Sequence, residues 1–169
     1  MPDRGISCCF TGHRFERLPW LKNEADPRTQ FLVDELWRLI LQSYDDGYRH
    51  YLCGMAVGVD LLCARLVLQL VAEDPTVKLI PVIPFREQAE NWSEVDRSNY
   101  RKILKLCGRN AVLLSPDYYK GCFMVRNRYM IDHSNRVIGV FDGISQGGTY
   151  QTLRYARECG LELALICPE

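Results

Sequence analysis

The sequence has 169 residues, of which 47% are hydrophobic and 25% charged, and its 21 lysines and arginines balance its 21 aspartates and glutamates. This composition excludes an intrinsically disordered chain, and the zero net charge disfavours a protein that coats nucleic acid by bulk electrostatics. No apolar run reaches the roughly 18 residues that a membrane span needs, and the first residues lack the apolar stretch of a signal peptide. We therefore expect one cytoplasmic domain over residues 1–169, with no membrane partner.

Short apolar runs alternate with longer amphipathic stretches along the whole chain. The runs predict strands at 6–11, 51–53, 77–83, 110–114, 136–141 and 161–166. The amphipathic stretches predict helices at 27–44, 57–72, 93–106, 124–133 and 147–158. This alternation predicts an α/β fold, a Rossmann-like three-layer α/β/α sandwich with a mostly parallel sheet. By analogy with Rossmann folds we expect the strand order 3-2-1-4-5-6, with ligands bound outside the carboxyl ends of the strands.

The eight cysteines do not form a pattern that predicts disulfides or a metal site. They lie in or beside apolar runs and helical stretches, and no CxxC pair or Cys/His cluster has the spacing of zinc ligands. We therefore interpret them as small buried hydrophobic residues in a reducing compartment, and we expect neither a metal nor a cofactor.

Three glycine-bearing segments follow predicted strands, where the ligand of such a sheet is expected. The first contains Gly12, His13 and Arg14. Its glycine permits a tight turn, and the planar guanidinium of its arginine suits a phosphate or carboxylate. An ordinary polar loop with one exposed arginine would have the same sequence. The histidine lacks a partner in the sequence that would make it a general base.

The second segment, residues 54–60, joins the second predicted strand to its helix. Its small residues allow backbone N–H groups to face an anion at the helix N-terminus. Asp60 either accepts a ribose hydroxyl or satisfies local amides. The segment lacks the lysine of a P-loop and the spacing of a dinucleotide fingerprint. The candidate ligand-binding residues here are Gly54, Met55, Ala56, Gly58 and Asp60.

The third segment contains Gly147, Gly148, Thr149 and Thr152. It brings small residues and hydroxyls to the start of the last predicted helix, which suits phosphate binding. The alternative is a glycine turn with a threonine cap.

A short run in the preceding predicted helix completes the candidate site. Arg126 and Arg128 are too close in sequence to share one helical face, so we expect one of them to reach the site. We expect the other to pair with Asp132. Asn127 donates and accepts hydrogen bonds, which suits a base or ribose edge.

These segments together resemble the SLOG superfamily, which joins the DprA-like proteins with the LOG phosphoribohydrolases. Residues 54–60 resemble the GxAxGxD signature of DprA proteins, and 126–128 followed by 147–152 resembles their RNR…GS/GT…T pattern. Three further features resemble the YpsA-like branch of this superfamily. They are residues 10–14, Gln88 with Trp92, and residues 127–132. The resemblance covers nearly the whole chain and implies a Rossmann-like domain that binds nucleotides or nucleotide-derived ligands.

The chain also departs from these relatives. LOG enzymes carry a PGGxGTxxE motif with a catalytic glutamate, and Thr152 stands at that glutamate's place. A threonine does not replace a carboxylate in hydrolysis, so we lean against an enzyme. DprA proteins bind single-stranded DNA and carry extra domains, for which this chain has neither the length nor the charge.

We therefore expect a protein that binds or senses a nucleotide-derived small molecule. The first alternative is a phosphoribohydrolase or N-glycosidase, in which Asp60, Asp142 or Glu87 replaces the missing glutamate. The second is single-stranded nucleic-acid binding through basic side chains of the helix at 93–106, which is not favoured. The basic side chains of that helix are Arg97, Arg101, Lys102 and Lys105. The sequence leaves open whether the chain forms a homo-oligomer.

Overall fold

The computed structural model describes residues 1–168, which contain one six-stranded sheet. Its strands are β1 (Ser7–Thr11), β2 (His50–Cys53), β3 (Lys78–Ile83), β4 (Val112–Leu113), β5 (Arg136–Val140) and β6 (Glu162–Ile166). The helices are α1 (Pro27–Asp45), α2 (Val59–Glu73), α3 (Glu94–Cys107), α4 (Cys122–Asp132) and α5 (Gly147–Glu158). All five strand pairs are parallel, which confirms the predicted Rossmann-like α/β fold.

The sheet separates two apolar layers, and alternation along the strands decides which residue joins which layer. In β1, Cys8 and Phe10 join the layer formed with α1, α2 and α3, whereas Cys9 joins the layer formed with α4 and α5. Because successive side chains of a strand point to opposite faces, a strand covered on both sides is apolar at every position. The predicted run of apolar residues therefore follows from burial on both faces.

The strand order is β4-β3-β2-β1-β5-β6, so the expected order 3-2-1-4-5-6 is wrong. The helix α3 packs on the same face as α1 and α2. A right-handed crossover on that face moves the chain one more step in the same direction, so β4 lies outside β3. Only α4, on the opposite face, returns the chain to the free edge of β1, where β5 pairs.

The fourth strand is also shorter than the predicted range 110–114. It contains only Val112–Leu113, because a 3-10 turn at Gly108–Asn110 follows directly on α3. The other predicted elements lie within about two residues of the observed bounds, which is the usual scatter of element ends. No helix within residues 1–168 is both long and apolar enough to span a bilayer.

The cysteines have free thiols, and most of them pack in the two apolar layers. Burial raises the pKa of Cys9 to about 12, which keeps this thiol protonated and unreactive. The packing prediction is wrong for Cys167, which lies exposed just after β6, and Cys159 is half-buried. The buried cysteines are Cys8, Cys9, Cys53, Cys63, Cys107 and Cys122.

A buried arginine joins the edge of the sheet to α1 at the amino ends of the strands. Nη2 of Arg136 donates to Asp46 Oδ2 at 2.7 Å and to Glu162 Oε2 at 2.9 Å, and Nη1 donates to Ser43 Oγ at 3.1 Å. The guanidinium lies 4.6 Å from the ring centre of Tyr48. The network connects the C-terminal end of α1 with β5 and β6.

We expect Arg136→Met to lower the free energy of unfolding by about 2 kcal/mol, because it keeps the apolar stem but removes several charged hydrogen bonds. Urea denaturation followed by circular dichroism measures the change. Arg38→Met is the control, because Arg38 forms only an exposed pair with Glu35 and should leave stability unchanged. Equal stability of the two variants would contradict a structural role for the Arg136 network.

Candidate functional site

The loops after β1 and β2 lock together through two glycines. A Cβ on Gly12 would lie 2.5 Å from Cγ1 of Val59, and a Cβ on Gly58 would lie 2.7 Å from the carbonyl oxygen of His13. Gly58 also has a φ of 93°, a conformation that side chains disfavour. The backbone N–H of Val59 donates to the carbonyl of His13 at 3.2 Å. Both glycines are therefore explained by packing of the loops.

The loop after β2 is held against α4 by Arg126. Nη1 of Arg126 donates to the carbonyl oxygen of Gly54, and a Cβ on Gly54 would overlap this guanidinium. In the same loop, Met55 has a φ of 58°. The N–H of Ala56 donates to Oδ2 of Asp60 at 3.2 Å. One oxygen of Asp60 therefore satisfies a local amide, as one of the two interpretations predicts, and the other oxygen has no partner within residues 1–168.

A chain of side-chain hydrogen bonds continues from Arg126 to the start of α5. Nε of Arg126 donates to Oδ1 of Asn127 at 2.7 Å, and Nδ2 of Asn127 donates to Oγ1 of Thr152 at 2.9 Å. The hydroxyl of Thr152 then donates to the carbonyl of Gly148 at 2.8 Å. Both ends of the Asn127 amide are thus engaged, and its orientation is fixed by its two neighbours.

Arg128 points away from this chain. Its guanidinium lies 5.2 Å from the ring centre of Tyr155, and the carboxylate of Asp132 accepts a hydrogen bond from the Tyr155 hydroxyl at 2.9 Å. The expected pair between Arg128 and Asp132 is therefore wrong, because Tyr155 on α5 contacts both side chains, the guanidinium through its ring and the carboxylate through its hydroxyl. Arg126 is the arginine of this run that reaches the site.

A cavity of about 380 Å³ lies at the carboxyl ends of β1, β2 and β5, and we call it the site cavity. The sequence-predicted residues that line it are Gly12, His13, Arg14, Ala56, Asp60, Arg126, Asn127, Gly148 and Thr149. Those that lie outside its lining are Gly54, Met55, Gly58, Arg128, Gly147 and Thr152. Three of the second group, Gly54, Gly58 and Thr152, support the lining residues through the contacts described above.

The sequence analysis missed several lining residues. They are Phe10, Thr11, Glu16, Arg17, Phe123 and Met130. The sequence did indicate Phe123, because this residue lies three positions before Arg126 and therefore shares its helical face. The others belong to a strand, to a long polar loop or to an apolar helix face, where their types are ordinary.

Two arginines converge in the site cavity without a carboxylate partner. The guanidinium of Arg14 lies 5.1 Å and that of Arg126 lies 5.8 Å from the ring centre of Phe123. Neither forms an ion pair within the described residues. Burial lowers the pKa of Arg126, and the nearby charge of Asp60 opposes this shift. Burial likewise raises the pKa of Asp60, and Arg126 opposes it. Asp60 thus acts on Arg126 electrostatically, but neither Arg14 nor Arg126 forms a direct ion pair with the lining carboxylates Asp60 and Glu16.

His13 connects the loops after β1 and β5. The backbone N–H of Asp142 donates to Nε2 of His13 at 3.2 Å, so the neutral ring carries its proton on Nδ1, which lies 3.5 Å from Oγ1 of Thr149. The carboxylate of Asp142 lies 3.3 Å from Nε2 and also pairs with Arg17 at 2.8 Å. Burial lowers the pKa of His13 from its model-peptide value of 6.5, although Asp142 opposes the shift.

Gly148 differs from the glycines that packing explains. A Cβ built on it would meet no atom within 4 Å, yet the residue lines the site cavity at the N-terminal end of α5. The space that a side chain would fill is open to a ligand that approaches the helix N-terminus.

A larger cavity of about 590 Å³ lies between α1, α2 and the start of α3. Its charged lining residues lie on the surface, and Arg65 there pairs with Glu24 at 3.4 Å. It therefore lacks the unpaired buried charges of the site cavity. Within residues 1–168, no three His, Cys, Asp or Glu side chains form a group that could hold a metal ion.

His13 gives the free energy of unfolding a predictable pH dependence. Because its pKa is lowered in the folded state, the unfolded chain binds more protons below pH 6.5, so stability is complete above this pH and falls as the pH drops. His50 has a lowered pKa as well and adds to the same fall. We expect His13→Gln to show a smaller loss of stability than the wild type between pH 7.5 and pH 5.5, measured by urea denaturation. An equal loss in both proteins would show that His13 does not contribute.

Two bacterial proteins are similar to this chain in sequence. It is 28% identical over 151 residues to a UPF0398 protein of Bacillus cereus strain B4264, with 89% of this chain and 82% of the relative covered. It is 32% identical over 146 residues to the SPbeta prophage-derived protein YoqJ of Bacillus subtilis strain 168, with 79% and 84% covered.

A solved structure has the same fold. The X-ray structure of DNA processing protein A (DprA) from Streptococcus pneumoniae superposes with a TM-score of 0.59 at 16% identity, over 93% of this chain and 48% of that chain. This chain thus spans about half the length of DprA, and at this identity the likeness is one of fold alone. The YpsA family model, described as the YspA SLOG family, matches residues 8–162. The chain therefore belongs to the YpsA-type SLOG family, as the sequence motifs predict.

Proposed function

We propose that the chain binds a nucleotide-derived small molecule, either a nucleotide or an ADP-ribose-like compound, in the site cavity. The observation that carries the proposal is the convergence of Arg14 and Arg126 on Phe123, with no direct ion pair to either arginine within the described residues. Two like charges in a partly buried cavity repel each other, and a bound phosphate between them relieves this repulsion. Guanidinium groups also match the geometry of phosphate oxygens.

The start of α5 supports the same position for a phosphate. Gly148 and Thr149 line the site cavity in the first turn of this helix, whose unpaired backbone N–H groups and dipole attract an anion. Asp60 supplies a free carboxylate oxygen for ribose hydroxyls. A volume of about 380 Å³ falls near the lower end of the range for ligand cavities. The free cysteines support a reducing, cytoplasmic setting for this function.

Hydrolysis of the ligand is the second candidate function, and Asp60 is the observation that favours it. This carboxylate lines the site cavity and has a raised pKa, as an acid catalyst requires. Asp142 instead pairs with Arg17, and Glu87 lies on the surface outside the lining. Thr152, at the place of the LOG glutamate, has its hydroxyl engaged in hydrogen bonds. Release of free base from a nucleoside monophosphate would support this candidate.

Nucleic-acid binding, the third function considered, has less support. In α3, Arg97 pairs with Glu94 at 2.6 Å, so the basic cluster is partly neutralised on its own helix. Arg101, Lys102 and Lys105 are exposed, as on an ordinary solvated helix face. A role of this kind requires strongly salt-dependent retention of single-stranded DNA.

Arg14→Gln tests the anion site. We expect calorimetric titration with AMP and ADP-ribose to show affinities about tenfold weaker than for the wild type, because one charged hydrogen-bond donor is lost. Stability should not change, since Arg14 forms no ion pair within the described chain. The control is Arg101→Gln on the exposed face of α3, which should bind as the wild type does. Absence of binding by the wild type at millimolar ligand, or equal effects of the two variants, would overturn the proposal.

Gly148→Ala tests whether the ligand approaches the start of α5. The added methyl meets no protein atom within 4 Å, so we expect unchanged stability but a loss of affinity of about tenfold or more. Gly5→Ala is the matched control at the opposite edge of the sheet, where the methyl would make only an ordinary contact with Asp3 at 3.4 Å. Titration and thermal denaturation of both variants give the comparison. Unchanged affinity in Gly148→Ala would place the phosphate elsewhere.

A further inference from the structure

We infer that the site cavity recognises the phosphorylated ribose of its ligand and does not read the base. The ligand class is therefore a ribose phosphate that carries any base or none. This inference rests on the proposed function and specifies which part of the ligand the same site selects. It follows from dividing the lining side chains into those whose hydrogen-bonding groups are engaged within the protein and those whose groups are free.

The neutral side chain best suited to read a base is engaged within the protein. An asparagine reads adenine by donating and accepting at once with its amide. In Asn127, Oδ1 accepts from Arg126 at 2.7 Å and Nδ2 donates to Thr152 at 2.9 Å. Turning the amide toward a base would break both bonds and leave Nε of the buried Arg126 without its acceptor.

The other neutral lining groups are equally unsuited to base recognition. Nε2 of His13 accepts from the N–H of Asp142, and Nδ1 faces the hydroxyl of Thr149, so both ring nitrogens have partners. Thr11 also lines the cavity, but a hydroxyl both donates and accepts and so distinguishes poorly between base edges. Gln88, on the segment between β3 and α3, donates to the carbonyl of Gly54 at 3.2 Å and lies outside the lining.

Apart from the hydroxyl of Thr11, the lining side chains with free hydrogen-bonding groups are charged. They are Arg14, Arg126 through Nη2, Asp60 through Oδ1, and Glu16. The two guanidiniums converge on one phenyl ring beside the start of α5, an arrangement that a doubly negative phosphate neutralises and an uncharged base does not. A buried carboxylate accepts hydrogen bonds from ribose hydroxyls, which every ribonucleotide carries. Selection therefore depends on groups that are common to all ribonucleotides.

The test compares affinities of the wild-type protein for ribose 5-phosphate, AMP, GMP, CMP and adenosine by calorimetry. We expect ribose 5-phosphate and the three nucleotides to bind within about tenfold of one another, and adenosine to bind at least about thirtyfold more weakly, because it lacks the phosphate. GMP is included because an arginine that reads guanine would favour it.

The outcomes separate this inference from the proposed function. If one nucleotide binds more than about thirtyfold more tightly than the other nucleotides or ribose 5-phosphate, the base is read and the inference is wrong, while nucleotide binding stands. If no phosphorylated compound binds, both are wrong.

Asp60→Asn provides a second measurement. The amide oxygen can still accept from the N–H of Ala56, so the loop keeps its contact. We expect the affinity for ribose 5-phosphate, relative to that for inorganic phosphate, to fall about tenfold, because the variant loses an acceptor for ribose hydroxyls. The variant also removes a negative charge near Arg126, which affects both phosphorylated ligands alike, so the ratio of the two affinities is the measured quantity. Asp34→Asn on the exposed surface of α1 is the matched control. Equal weakening of both ligands by Asp60→Asn would contradict the assignment of ribose to Asp60.

Discussion

The guanidinium of Arg126 lies buried where the loop after β2 meets α4. It donates to the carbonyl of Gly54 and to Asn127, and through Thr152 the chain of hydrogen bonds reaches the first turn of α5. A buried cation loses its hydration, so its donors need partners on the surrounding loops. This requirement fixes the loop after β2 and the start of α5 relative to α4, and it leaves Nη2 of Arg126 free at the site cavity.

The place of this cation follows from the direction in which the chain winds through the sheet. Three helices cover one face and two cover the other, and the change of face occurs between β1 and β5. The loops after these two strands therefore diverge and leave a crevice at their carboxyl ends, as in other open parallel sheets. Arg14 enters this crevice from one side and the start of α5 from the other. The anion site that we propose at the crevice thus follows from topology together with a few charged side chains.

Glycine serves two separate physical purposes in these loops. Gly12 and Gly54 lack a side chain because Val59 and Arg126 occupy the space that it would fill. Gly148 lacks one although the space is open. In the first two cases a methyl group would force apart the elements that form the cavity, whereas at Gly148 it would meet no protein atom within 4 Å. A substitution at Gly12 or Gly54 is therefore expected to lower stability, whereas a substitution at Gly148 is expected to affect binding and not stability.

The sequence by itself determined the alternation of strands and helices, the burial of the sheet on both faces and the loop segments that gather at one edge of the sheet. It could do so because hydrophobic periodicity and the succession of elements along the chain are local properties. It did not determine that β4 pairs with the outer edge of β3, since the side-chain pattern of a strand does not indicate which strand lies next to it in the sheet. Nor did it separate Arg126 from Arg128, or show that Asn127 is engaged and Asp60 partly free. Those outcomes depend on which side chains meet across more than twenty residues of sequence, and only tertiary packing decides which hydrogen-bonding groups remain for a ligand.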